Sequence, residues 1–234
     1  MKKSKSKFLN FVKKYPLFKN FYYFYNIYIR NYKFLNNGSQ FGEEKFILSF
    51  FDKEYKGKFL DIGCFHPTRH NNTYQMYKNG WNGINIDISN LSIKLFNLVR
   101  KKDININMAV SLKKKKVRFY YDKLISFYIS LNKRKELDRF REIKSNTLTN
   151  IIDKTKYKDQ KIDFLSIDTE GKDLEVLKSL NFERYNPKYI CIEIYSDKNK
   201  SFNIKNNLIY KYLMKKNYKL LLNKRENYIF KKKL

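Results

Sequence analysis

The sequence predicts an α/β fold: a doubly wound, mostly parallel sheet with an antiparallel hairpin at one edge. From Gly57 onward, short apolar runs alternate with stretches of helical periodicity, which is the pattern of strands joined by helical crossovers. Several of these runs end in a glycine or an acid. The last two are joined by only a short polar link, too short for a crossover, so they pair antiparallel.

Residues 1–38 are basic and aromatic. Phe8, Phe11, Val12 and Tyr15 recur at i, i+3, i+4 and i+7, and Phe18, Phe21, Tyr22, Tyr25 and Ile29 continue the stripe after Pro16, the spacing of one or two amphipathic helices. We read 1–38 as a helical extension that packs on the domain formed by 39–234; seating on a membrane surface, near a lipid-linked substrate, is the alternative. Asn37-Gly38-Ser39 makes a turn, and residues 41–51 begin a helix with Glu43 and Glu44 in its first turn, where the helix dipole favours acids.

Residues 58–64 form the first strand and 73–79 the first crossover helix. A second strand, 83–88, ends in Asp87 and Ile88, followed by a helix over 91–100 and a strand over 104–110. Residues 117–121 add a strand. The charge-dense stretch 132–144 reads as an exposed helix or a mobile loop. Strand 162–168, helix 173–180, strand 189–195, helix 206–216 and the hairpin 219–222 with 227–230 complete the sheet.

Of 234 residues, 42% are hydrophobic and 18% aromatic, enough apolar material for a core, which excludes a disordered basic tail. No apolar run approaches the roughly 18 residues of a membrane span. The basic start resembles the beginning of a signal peptide, but Lys13 and Lys14 cut its apolar stretch short and no small-residue cleavage site follows, so no secretion signal is read. Cys64 and Cys191 are too far apart for a CxxC pair and are expected as buried free thiols. The cytoplasm is the expected compartment, with peripheral membrane attachment as the alternative.

Lys+Arg 51 against Asp+Glu 22 gives a net charge of +29, which would suit a nucleic acid or an anionic membrane. An AT-rich coding sequence explains the same numbers: Lys outweighs Arg, Asn, Ile, Phe and Tyr abound, and Ala109 is the only alanine. Nucleic acid is therefore not the expected partner.

In such sheets ligands bind beyond the carboxyl ends of the strands, where strand order reverses. Asp61-Ile62-Gly63-Cys64, Asp87, Met108-Ala109, Asp168-Thr169-Glu170 and Glu193 fall there. Gly63 allows a close backbone approach, and an acid ending the second strand suits the two hydroxyls of a ribose. Cys64-Phe65-His66-Pro67 follows Gly63 in place of the rest of a GxGxxG turn, so the pyrophosphate cradle of a dinucleotide is missing. A nucleoside cofactor without phosphates, such as S-adenosylmethionine (SAM), needs no such cradle.

Asp168 and Glu170 stand at i and i+2 and are expected on one side of a central strand's end, as general base or substrate contact. A divalent cation is the less favoured reading, since two carboxylates are a thin ligand set. Glu170 as a helix cap beside a structural Asp168 is the plainer alternative. His66 is a second candidate base, with surface exposure as its rival reading. Trp81 reads as a packing anchor, and Arg69 suits an anionic acceptor.

Taken together, these motifs resemble the FkbM-type SAM-dependent methyltransferases. The resemblance runs through Ser39-Gln40-Phe41-Gly42-Glu43-Glu44, Phe59-Leu60-Asp61-Ile62-Gly63-Cys64, Asn72-Thr73-Tyr74, Gly80-Trp81-Asn82-Gly83-Ile84-Asn85-Ile86-Asp87, Met108-Ala109-Val110-Ser111 and Ile167-Asp168-Thr169-Glu170-Gly171 to Ile192-Glu193. It implies a class I methyltransferase (Rossmann-like) fold and methyl transfer to a hydroxyl of a sugar, a glycan or a secondary metabolite. It also implies roles. Asp61 and Gly63, with Cys64, border the methionine of SAM; Asp87, with Ile88, holds the ribose; Asn72 and Thr73 meet the methionine carboxylate; Met108 and Ala109 flank the adenine. Phe65 and Pro67 depart from the commoner family pattern, in which Asn or Gly is usual. Two rival functions remain at this level: an RNA-binding protein or RNA methyltransferase, which the absence of an Asn-Pro-Pro-Tyr type motif disfavours, and a catalytically silent binding module. The oligomeric state is not legible.

Overall fold

The computed structural model describes residues 16–35, 38–121, 129–131, 133, 135, 137–195 and 202–233. The helical stripe expected over Phe8 to Tyr15 lies outside them. The chain runs α1 (Pro16–Phe24), α2 (Glu43–Leu48), β1 (Lys58–Ile62), α3 (Tyr74–Lys78), β2 (Asn82–Asp87), α4 (Asn90–Val99), β3 (Ile104–Asn107), β4 (Ala109–Val110), β5 (Lys115–Tyr121), β6 (Ile129–Ser130) and β7 (Arg139–Asn146). It continues with α5 (Leu148–Ile152), β8 (Phe164–Ile167), α6 (Asp173–Lys178), β9 (Tyr189–Glu193), α7 (Leu208–Lys215), β10 (Tyr218–Lys224) and β11 (Asn227–Lys232).

The main sheet has seven strands in the order β10-β11-β9-β8-β1-β2-β3. Its five inner and far-side strands run parallel, and β10 and β11 form the antiparallel edge hairpin. From β1 the chain winds outward through β2 and β3, then returns to β8 on the other side of β1. Strand order thus reverses between β1 and β8, and their tips lie level, since Ile62 pairs with both Ile86 and Ile167.

Alternation explains why these strands read as unbroken apolar runs, because both faces of the sheet are covered. Leu60, Ile62, Ile84, Ile86, Leu165 and Ile167 face the larger core cluster with Ile151, Val176 and Leu177. Phe59, Phe164, Tyr189 and Cys191 face the other side with Ile47, Met76 and Trp81. Trp81 is the anchor expected: it is 1% exposed, it donates from Nε1 to the Tyr55 carbonyl at 2.9 Å, and its ring lies where a Cβ on Gly57 would stand, 2.6 Å away.

The structure corrects two expectations. The run over 104–110 is not one strand. At Met108, whose N–H donates to the Asp87 carbonyl, the chain leaves the main sheet, and Ala109–Val110 joins a second, four-stranded sheet ordered β4-β7-β5-β6. Nor is the second half of the charged stretch an exposed helix or a loop: residues 139–146 pair antiparallel with β5 along its full length. Arg118 stands opposite Glu142 and Val117 opposite Ile143, while Phe119 and Tyr121 are buried. Opposite charges and an apolar inner face across the ladder outweigh the helix propensity of Arg, Glu and Lys.

The extension packs in part as expected. Tyr23 and Ile27 are buried against Leu95 of α4. Tyr25–Ile29 is a single π-helical turn, closed by Arg30 N–H to the Tyr25 carbonyl at 2.8 Å. Glu43 and Glu44 are fully buried and do more than face a helix dipole. Glu44 accepts from the N–H groups of Gly38, Ser39 and Gln75, and Glu43 from Phe41 N–H and Asn227 Nδ2.

One buried polar network holds the chain between β1 and α3. Arg100, 0% exposed, donates to the Thr73 carbonyl at 2.9 Å, to Thr73 Oγ1 at 2.6 Å and to Asn71 Oδ1 at 2.7 Å. Asn71 Nδ2 and Thr73 Oγ1 in turn donate to Asp61 at 2.9 Å each. On its other side Arg100 lies 3.8 Å from Asp103, which accepts from Gly83 N–H and Asn85 Nδ2. Removing the guanidinium leaves two buried acids without their cation. Arg100→Met is expected to cost about 3–5 kcal/mol of stability, measured as a fall in the urea unfolding midpoint.

Candidate functional site

Beyond the tips of β1 and β8, where strand order reverses, lies a cavity of about 480 Å³, within the size range of small-molecule sites. The level strand tips bring Gly63, Asp87, Met108, Asp168 and Glu193 to its walls. Of the residues singled out from the sequence, Gly63, Asn72, Asp87, Ile88, Met108, Asp168 and Glu170 line it. Asp61, Cys64, His66, Thr73 and Ala109 do not.

The reasons are local. Asp61 is 3% exposed and committed to Asn71 and Thr73, so its task is to organise the loop. Cys64 packs beneath the cavity with Ile93 and Phe96, and Ala109 is buried where the chain enters the second sheet. Both cysteines are free thiols. His66 is fully buried, and its Nδ1 accepts from the N–H groups of Thr68 at 3.2 Å and Arg69 at 3.1 Å. Burial first, then the charges of Arg69, His70 and Arg30, pull the imidazole pKa down to about 3. The ring therefore stays neutral and serves as an acceptor inside its own loop, away from the cavity.

Gly63 is required by its neighbour strand. Its φ is +77°, and a Cβ there would stand 1.8 Å from the Asp168 carbonyl oxygen. Three non-glycine residues on the walls, Phe65, His70 and Glu170, also hold left-handed backbone at φ 56°, 47° and 56°, a conformation that side chains with a Cβ adopt at a cost. The resemblance implies Asn or Gly at Phe65, the two residues that take this conformation most readily. Here its N–H is held by Asp87 Oδ2 at 2.8 Å, and the Arg69 guanidinium sits 5.0 Å from its ring centre.

Asp87 accepts a second N–H, that of Ser89, at 2.6 Å on Oδ1. Ser89 itself caps α4 by accepting from Ser92 N–H. Each Asp87 oxygen has spent one lone pair on backbone and keeps another toward the cavity. Enclosure by protein raises its pKa to about 6, against the lowering pull of the two N–H groups.

Across the cavity the acids gather. Asp168 is open to the cleft yet ringed by protein, and this enclosure, then the Glu193 carboxylate and then Asp173, push its carboxyl well above the usual range. The Glu193 carboxylate thus stands close enough to Asp168 to raise its proton affinity. Glu193 is raised as well, chiefly by burial, against hydrogen bonds from Tyr195 and Asp168. Tyr195 Oη also reaches Glu170 Oε2 at 3.3 Å. Asp168 and Glu170 do share the cavity, but through the bend after β8 and not through strand alternation. Among the described residues, no group of three or more His, Cys, Asp or Glu is arranged to hold a metal ion.

Other wall residues carried no such assignment in the sequence. Glu193 stood out only as a strand end. Asn227 and Gln40 reach the wall from the edge hairpin and from the segment before α2, which Glu43 ties together. Ser130 and Leu131 come from the second sheet, for which no local signal exists.

The sequence profile of the methyltransferase FkbM domain matches residues 41–220. The chain belongs to the FkbM methyltransferase family. Its sheet is accordingly the class I methyltransferase arrangement. No curated protein sequence matches this FkbM chain. Among solved structures, methyltransferase FkbM from Methylobacillus flagellatus KT is 14% identical, with a TM-score of 0.46 and coverage of 75% of this chain and 43% of that one. This chain thus spans less than half the length of that protein. A TehB-like SAM-dependent methyltransferase from Corynebacterium glutamicum is 12% identical (TM-score 0.44, 88% and 96% covered), and TehB from Haemophilus influenzae 14% (TM-score 0.46, 85% and 64%).

Gly63→Ala forces a Cβ against backbone in a conformation L residues avoid. A loss of about 2–3 kcal/mol is expected, read from the thermal midpoint together with loss of ligand binding in the cavity.

Proposed function

We propose that this FkbM-family domain transfers a methyl group from SAM to a hydroxyl of a sugar, glycan or small polyhydroxylated molecule. One observation carries the reading: the half-open carboxylate of Asp87 and the neighbouring acids Asp168 and Glu193 line the same cavity. One wall thus suits a ribose and the other a hydroxyl that must lose its proton.

The residues present fit the donor. Asp87 keeps acceptor lone pairs toward the cavity for the ribose hydroxyls, Ile88 and Met108 offer apolar faces to the adenine, and Asn72 and Gly63 border the space for the methionine part. SAM, when bound, supplies a methyl carbon made electrophilic by a sulfonium. The chain's own contribution is to align the acceptor oxygen and to take its proton. A carboxylate with a raised pKa is a stronger base than an ordinary one, and a positioned base contributes about 10²- to 10⁴-fold. Asp168 in its ionised form, with Glu193 beside it, fills that role. Gln40, His70, Glu170, Lys172 and Asn227 add donors and acceptors around the remaining space, the lining a polyhydroxylated acceptor needs.

Three outcomes are expected. Asp87→Asn weakens SAM binding in titration calorimetry by about 1.5–3 kcal/mol. With the parent chain, SAM binding weakens as the pH falls below about 6, where Asp87 takes up a proton and loses an acceptor; the Asn variant lacks that dependence. Asp168→Asn lowers kcat by about 10²-fold or more with little change in SAM affinity, while Glu193→Gln shifts the acid limb of the pH–rate profile. Incubating the protein with methyl-labelled SAM and fractionated cell extract tests the acceptor class: label in carbohydrate or small polar metabolites supports the proposal, and label confined to RNA overturns it.

A further inference from the structure

Among its described residues, the extension packs with one face. Tyr23 and Ile27 are buried on α4, whereas Phe21, Phe24, Tyr25, Tyr28, Ile29 and Tyr32 are 64%, 52%, 42%, 44%, 49% and 69% exposed. Along Pro16–Ile29, an α-helix that runs into the π turn, the exposed set falls on one side and the buried pair on the other, and Tyr32 in the short 3-10 turn that follows is exposed as well. Large apolar side chains exposed elsewhere on the described surface are scattered; here they are contiguous in sequence. Isolated exposed rings are ordinary, but a continuous band of them marks a contact surface.

Charge selects the occupant. Residues 1–38 contain nine Lys or Arg and no Asp or Glu, so the band sits in a segment with no acid to repel an anionic surface. Rings such as Phe and Tyr, with Lys and Arg beside them, are the side chains that settle at the boundary between lipid headgroups and acyl chains. Among the described residues no helix is long and apolar enough to cross a membrane, which makes this a surface contact. The segment also runs beside the cavity wall. The charges of Arg30 and Lys33 act on Arg69 and His70, both of which line the cavity, and Lys78 Nζ holds the Leu35 carbonyl at 3.2 Å.

We propose that the exposed aromatic face of residues 21–32 docks the protein on an anionic lipid bilayer, with the cavity wall alongside. Docking of this kind does not depend on the reaction proposed above and is read without it.

The test is flotation of the full chain with phosphatidylcholine vesicles, with and without phosphatidylglycerol. Binding is expected to be at least about tenfold tighter to the anionic vesicles and to weaken with salt. The variant Phe21→Ser, Phe24→Ser, Tyr28→Ser, Tyr32→Ser should lose about tenfold or more of that binding while keeping the parent's thermal midpoint, since these side chains are exposed. Binding by this variant equal to the parent's would overturn the proposal, as would failure of the parent to float. Two further results would replace the lipid by another occupant: a dimer in light scattering that the variant abolishes, or RNA protecting Tyr28 and Tyr32 from modification when vesicles do not.

Discussion

A guanidinium sealed from water sets the geometry of the cavity. Arg100 reaches from the end of α4 to Asn71 and Thr73, and through them to Asp61 at the tip of β1. Such a cluster contributes little net stability, because the cost of drying its charges offsets most of their attraction. What it fixes is a path. The Arg100 Nη groups, Asn71, Thr73 and Asp61 are tied to one another by hydrogen bonds, so the chain from Gly63 to Thr73 is held over the strand tips in one way. Phe65, Arg69, His70 and Asn72 reach the cavity wall as a consequence.

The same network explains where the sequence was legible and where it was not. Strands β1, β2, β8 and β9 are buried on both faces and announce themselves as apolar runs. Asp61 and Asp87 both end such runs, and nothing in their spacing tells them apart. Only folding does, because a buried Arg100 claims the partners of the first and leaves the second open to the cavity. His66 misled for a similar reason, its loop curling so that the ring accepts the loop's own N–H groups. Residues 139–146 were opaque because their stability lies in pairs across to β5, invisible to any local window. Phe65 shows the reverse case. The departure from Asn or Gly was visible as an oddity, and its meaning, left-handed backbone held by Asp87, needed coordinates.

Electrostatically the cavity is an exception within its own chain. A protein of net charge +29 concentrates Asp168, Glu170, Asp173 and Glu193 at the ends of two adjacent strands. Burial first, and at Asp168 and Glu193 the neighbouring acids as well, raises the proton affinity of Asp168, Asp173 and Glu193. The basic exterior and the acidic interior thus serve different ends, the first setting what the protein approaches and the second what protons it holds.

At Met108 the chain leaves the main sheet for the second one. Strands β5, β6 and β7 form a sheet of their own and, among the described residues, this region lends the cavity only Ser130 and, just after β6, Leu131. A change of length in a region attached this way would reshape one rim of the cavity and leave the wall formed by Gly63 and Asp87 as it is.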